Sequence, residues 1–257
     1  MIKKIINFLF ISFVFTFSLF ADYQKPSLVS NNVWKDIQPY LLPYNHPLRK
    51  KMDKLFKSFR VTENAKSLQK AGFERWEPAF FSKAIISKNE RIDDGYYFKF
   101  YSDEQDIAVE SEQWINRAFE ARNLAKTIKN LGYQDFFIVP KKWIYPIPDV
   151  PRSKSAFPKN FILIAKKIGI EKSTTSRYKW QNRITKKMLK ALYTVIEKEG
   201  LVDSLASHNV PFSKDDKLVF VDLEHHHKWP VPFEKLLKYL NPSMQIYWKQ
   251  LIDRKGF

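Results

Sequence analysis

Apolar positions fall along this chain as one uninterrupted run, then as helical stripes and strand-like alternations. Residues 5–20 are apolar and uncharged, with Asn7, Ser12, Thr16 and Ser18 as the polar side chains, and Lys3 and Lys4 precede them. Ser18 and Ala21 set small residues three apart just before Asp22. A basic head, an apolar core and a small-residue end predict an export signal over residues 1–21, with an uncleaved anchor as the alternative. The run is shorter than the roughly 20 residues that cross a bilayer, and no later stretch has membrane-spanning character.

Residues 23–38 read as an extended lead-in. Pro47 then opens a helix whose Leu48, Met52, Leu55, Phe56 and Phe59 form one apolar stripe. Thr62 is placed to cap a shorter helix ending at Gly72. Residues 79–101 read as strands, with Asp93-Asp94-Gly95 as the turn between them. Ser111 is placed to cap a long helix carrying Ile115, Ala118, Phe119, Arg122, Ala125 and Ile128 at helical spacing, and Gly132 ends it. Residues 136–144 predict a strand broken by Pro140, 147–158 a loop, and 161–165 a short buried strand. The strongest helix covers 183–199, with Ile184, Met188, Leu192, Val195 and Ile196 on its buried face and Gly200 as its stop. A polar loop over 201–212, a strand over 217–222 and a last helix near 232–240 complete an α+β pattern.

Composition narrows the chemistry. With no cysteine, disulfides, thiolate metal sites and cysteine nucleophiles are excluded. Six glycines form neither GxGxxG nor GxxxxGK[ST], so the glycine-built phosphate cradles are absent. A formal net charge of +17 attracts anionic partners such as a membrane surface, nucleic acid, a phosphorylated ligand or an acidic protein. A lysine-, isoleucine- and asparagine-rich composition also gives a generally basic surface without any one partner. The basic face of the Pro47 helix suits an anionic membrane, although such faces are more often simply solvated. Arg177-Tyr178-Lys179-Trp180 is read as an exposed helix start rather than a base-stacking patch, so no specific nucleic-acid signal emerges.

Several polar residues stand where packing has no use for them. Lys99 sits in Tyr97-Phe98-Lys99-Phe100, where a buried ammonium needs an anionic partner. Glu120 lies at the edge of the apolar face of the following helix. Asp203 and Asn209 occupy the polar loop after the strongest helix, and Asp222 ends an apolar strand.

In their order and spacing these residues resemble the protein-kinase-like superfamily, over about residues 79–224. Val139-Pro140-Lys141-Lys142-Trp143 and Asn209-Val210-Pro211-Phe212 are similar to stretches of exported kinase-like proteins of intracellular bacteria. The resemblance implies a two-lobed core with a shortened C-terminal lobe and an N-terminal helical extension. The divisions would be a signal at 1–21, the extension at 22–75 and the core at 76–257, split near 165. It implies ATP and Mg2+ as cofactors, Lys99 on the phosphates, Glu120 pairing with Lys99, Asp203 as general base, and Asn209 and Asp222 on the metal.

Departures from the family pattern keep two readings open. Asp203 lies six residues before Asn209, one more than in the family loop; Leu-Glu follows Asp222 in place of Phe-Gly; and Phe80-Phe81-Ser82-Lys83 stands where a glycine-rich loop belongs. An exported phosphotransferase, periplasmic, secreted or delivered into a host cell, is one reading. The other is an inactive pseudokinase or nucleotide-binding interaction module, and a basic peripheral membrane protein stands further off. His225, His226 and His227 could bind zinc, nickel or copper, but no acid or cysteine ligand set surrounds them in the sequence. A place near phosphates, or at an interface with Trp229, is the favoured expectation for them.

Overall fold

The computed structural model describes residues 23–74, 83–223 and 225–256. The export signal expected over residues 1–21, residues 75–82 and Glu224 lie outside the described residues. The architecture is mixed α+β, with a four-stranded antiparallel sheet at its centre.

Three short helices precede the sheet: α1 (Asn31–Ile37), α2 (Pro47–Phe56) and α3 (Ala65–Lys70). The expected extended lead-in is thus partly helical. Ser30 caps α1 by accepting from the Val33 amide, a local bond that outweighs weak apolar periodicity. Asn64, not Thr62, caps α3. The stripe of α2 is used as expected, with Leu48, Met52 and Phe56 buried.

The sheet contains β1 (Ile85–Asn89), β2 (Asp93–Phe100), β4 (Lys142–Pro146) and β5 (Phe161–Lys166), in the order β1-β2-β5-β4. The long helix α4 (Glu110–Asn130) follows β2, and a two-residue strand β3 (Phe137–Ile138) follows α4. The turn between β1 and β2 is built by Asn89, whose side-chain oxygen accepts from the Arg91 and Ile92 amides. Asp93-Asp94-Gly95 belongs to the strand instead. The free edge of β4 is covered where the Leu42 amide donates to Ile144, so no bare sheet edge is left there.

Alternation along the strands gives the sheet two apolar faces. Phe98, Phe100, Ile162 and Ile164 pack with α2 and α3 in one core. Ile144, Phe161 and Leu163 pack with Trp114 and Ala118 of α4 in another. The residues expected to form an extension therefore share a core with the sheet.

The second half is mainly helical: α5 (Ser173–Asn182), α6 (Lys186–Glu199), a 3-10 turn at Val202–Leu205, a 3-10 segment at Phe233–Tyr239, and α7 (Pro242–Asp253). Its own core joins Leu192, Val195 and Ile196 of α6 to Trp248 and Leu251 of α7. Thr185 caps α6, and Gly200 ends it with φ of 60°. Gly200 is needed twice over, because a Cβ there would stand 2.6 Å from the Lys228 amide nitrogen. A strand β6 (Leu218–Val219) pairs in parallel with β3. Among the described residues no helix is long and apolar enough to cross a membrane.

Candidate functional site

A cavity of about 510 Å³ opens between the sheet and the helical half, a size usual for small-molecule sites. Ile86, Tyr97 and Ala165 line it from the sheet, and Asn209, Pro211 and Val221 from the other side. Ile168 and Ile170, on the connection from β5 to α5, line it as well.

A hairpin carries the polar side of this cavity. The Val221 amide donates to Asn209 at 3.0 Å, Val219 to Pro211 at 2.9 Å, and Ser213 to Lys217 at 2.7 Å. This ladder sets Asn209 close to the end of the strand on which Asp222 follows. Helix α5, whose Ser173, Ser176 and Arg177 also line the cavity, braces the hairpin. The Trp180 indole donates to the Val210 carbonyl, and the Ser176 hydroxyl accepts from the Phe212 amide. Trp180 is therefore a buried structural residue and is not exposed for stacking.

The sheet supplies the cations. In the antiparallel register Lys99 stands opposite Leu163, and Lys142 opposite Ala165. Leu163 in turn faces Ile144 and Ala165 faces Tyr97, so both lysines lie on one face. Both line the cavity together with Asp222. From α4, Arg117 Nε approaches Asp222 Oδ1 to 3.7 Å.

The charges of this cluster are strongly coupled. Burial opposes ionisation of Asp222, but Lys99, then Arg117 and Lys142, outweigh it and hold the carboxyl below its ordinary range. Burial, the Lys99 charge and, more weakly, Arg117 push Lys142 down to about 7, with Asp222 acting in the opposite sense. The Lys142 ammonium is buried and has no hydrogen-bond partner among the described residues. A buried cation in that condition is costly unless something anionic meets it.

Of the residues singled out by sequence, Lys99, Asn209 and Asp222 line the same cavity. Asp203 is adjacent but is not part of the lining. Its carbonyl accepts from Asn209 Nδ2 at 3.0 Å, which leaves the Asn209 amide oxygen as the group able to take a metal. The Asp203 carboxylate meets His225 Nδ1 at 2.6 Å.

Glu120 has other neighbours than the expected Lys99. Glu120 is fully buried, and its Oε1 lies 2.9 Å from His226 Nε2. Burial, then the nearby Glu199, push it up to about 7. Burial, with His227 adding to it, pulls His226 down. The Lys99 charge acts on Asp222, while Glu120 meets the His226 imidazole. Arg117, one helical turn earlier, is the α4 residue that reaches Asp222.

Arg117 and Lys142 were not anticipated as members of the cluster. Lys142 could have been found from the pairing of the broken 136–144 strand with 161–165, since their register fixes which lysine shares a face with Lys99. No protein-family model matches the chain, and comparison with curated proteins gave no significant match.

Proposed function

We propose that this chain is an exported kinase-like protein whose cleft takes a nucleotide polyphosphate together with magnesium. One observation carries the reading: Lys99, Asn209 and Asp222, chosen from sequence for phosphate and metal, line a single cavity. The order of parts adds support, with a lysine strand, a long helix, a loop asparagine and then a strand-end aspartate.

The residues fit such a ligand. A polyphosphate would give the buried Lys142 ammonium the hydrogen-bond partner it lacks among the described residues. Lys99 and Lys142 would hold phosphate oxygens, and the apolar sheet residues would cover a flat base. Asn209 and Asp222 offer an amide oxygen and an ionised carboxylate, the oxygen donors that suit magnesium. Magnesium bound there would neutralise phosphate charge and help to orient the terminal group.

A second reading rests on Asp203. Its carboxylate holds His225 and does not line the cavity. That favours a nucleotide-binding interaction module without transfer over an active phosphotransferase, in which Asp203 would serve as base. Incubating the full chain with magnesium and ATP labelled on its γ-phosphate separates the two. Label passing to the protein or to an added acceptor, and lost in Asp203→Asn, establishes transfer. Retained binding without transfer leaves the module. Absence of binding in folded protein overturns both.

A further inference from the structure

A second cluster is built on α4 one turn beyond Arg117, the residue that meets Asp222. Glu120 Oε1 and His226 Nε2 are 2.9 Å apart, and His227 Nε2 lies 3.8 Å from Glu199 Oε2. Glu120, His226 and His227 each offer one ligand atom, and the three atoms fall within 4.8 Å of one another. Ligand atoms around a tetrahedral ion with bonds of about 2.1 Å stand about 3.4 Å apart, so a small contraction would close this set.

Three further observations point to a cation here. The first is Glu120 itself. It is wholly buried, and neither carboxylate oxygen has a hydrogen-bond partner among the described residues. The close approach to His226 lacks hydrogen-bond geometry, as expected of two groups aimed at a common point rather than at each other. The second is Glu199, a buried carboxylate that acts electrostatically on Glu120. Glu199 is fixed by Asn123 at 2.8 Å and Thr127 at 2.6 Å. Two buried carboxylates in mutual repulsion are relieved by a shared cation.

The third is the backbone at His227. Consecutive side chains on an extended strand point apart. His227 instead has φ of 51°, and its ring centroid lies 4.9 Å from that of His226. A histidine in this left-handed region is held there by its surroundings. The His227 amide donates to Glu199 at 2.9 Å, the Lys228 amide to Gly200 at 3.1 Å, and the Trp229 indole to Glu197 at 2.7 Å.

We infer that Glu120, His226 and His227 form a site for a zinc-class divalent ion, with Glu199 beside it. Two imidazoles and a carboxylate without thiolates suit Zn2+ or Co2+ better than magnesium. The fourth position opens to solvent through His227, which is about half exposed. A metal here would tie α4 to the C-terminal end of α6 and to the loop after Asp222.

The test uses the full chain, stripped of metal by chelation and titrated with Zn2+ alone by calorimetry and with Co2+ by visible absorption. One saturable site is expected, with Co2+ bands of a four- or five-coordinate ion and a higher melting temperature in Zn2+. Glu120→Gln and His226→Ala should each weaken binding by about 100-fold or more. His225→Ala should change it less than about 3-fold, because His225 serves Asp203. Glu120→Gln removes a buried charge and should fold at least as well as the parent, which keeps the test open should His226→Ala fail to fold. No saturable binding, or equal loss in His225→Ala and His226→Ala, would overturn the site.

Discussion

Two arginine–aspartate pairs in this protein do opposite work. Arg60 grips Asp103 with Nε–Oδ2 at 2.7 Å and Nη2–Oδ1 at 3.1 Å, and the Lys159 amide adds a bond to Oδ1 at 2.8 Å. Asp103 is completely enclosed. Arg117 and Asp222 stand 3.7 Å apart, and Asp222 is one-third exposed toward the cavity with Lys99 and Lys142 acting on it. The first pair is saturated within the fold and can only hold it together. The second keeps a carboxylate accessible in a cationic setting, where a ligand can still change the balance. Saturation separates a structural ion pair from a binding site more clearly than the residue types do.

The largest effect should come from breaking the saturated pair. Asp103→Ala leaves the Arg60 guanidinium, itself largely buried, without its anion. It should cost about 3–5 kcal/mol in denaturant unfolding. Asp222→Ala should cost less stability than that and remove nucleotide binding. If Asp222→Ala proves the more destabilising of the two, the contrast fails.

Next comes Lys142→Met. It replaces a buried ammonium lacking a hydrogen-bond partner among the described residues with an apolar chain of similar length. Stability at neutral pH should rise by about 1–2 kcal/mol, while affinity for a polyphosphate falls. A gain in melting temperature with unchanged affinity would place Lys142 outside the site.

Lys142 also gives a pH signature. Its folded-state value of about 7 lies below the 10.5 of a free lysine. Below about pH 7 both folded and unfolded chains carry the proton, and the full burial penalty is felt. Between about 7 and 10.5 the unfolded state binds more protons, so stability rises with pH. The advantage of Lys142→Met should therefore shrink as pH increases from 6 to 10. Polyphosphate affinity should fall over the same rise, as Lys142 loses its charge beside Lys99, Arg117 and Asp222. The part of that fall that disappears in Lys142→Met belongs to Lys142. A wild-type profile identical to the variant's would contradict the assignment.

The smallest effect concerns the surface. The stripe of α2 is buried against the sheet, so its lysines are left only weak electrostatic attraction to a membrane. Lys50→Glu with Lys54→Glu should reduce sedimentation with anionic vesicles by a few-fold at low salt and by nothing measurable at physiological salt. Tight, salt-resistant binding lost in the double variant would instead favour the peripheral membrane reading.

What could be read in advance follows from locality. The helices at Pro47 and Lys186 carry apolar stripes and clear ends, and the apolar run at 161–165 is a buried strand. Lys99, Asn209 and Asp222 stood out because a core strand, a braced loop and a strand end give such side chains no packing role. Asp93-Asp94-Gly95 misled because turn residues also occur at the start of a strand, while Asn89 made the actual turn through its side chain. Helix α7 was missed although Asn241 caps it and Pro242 opens it, a signature that weak periodicity obscured.

Partners distant in sequence were the harder part. Lys142 joins Lys99 only through two strand registers. Glu120 was legible as a polar group on a buried helix face, but its neighbour His226 comes from a loop fixed to the end of α6. The histidine tract looked short of acidic neighbours because its carboxylates, Glu120 and Glu199, come from α4 and α6.

The most direct test of the proposal that the cleft takes a nucleotide is a melting curve of the full chain with and without ATP and magnesium, run beside Lys99→Met and Asp222→Ala. A rise in melting temperature that saturates with ATP, is reduced in Lys99→Met and is absent in folded Asp222→Ala is the expected result. No rise in the wild-type protein, or an equal rise in all three, would contradict the account.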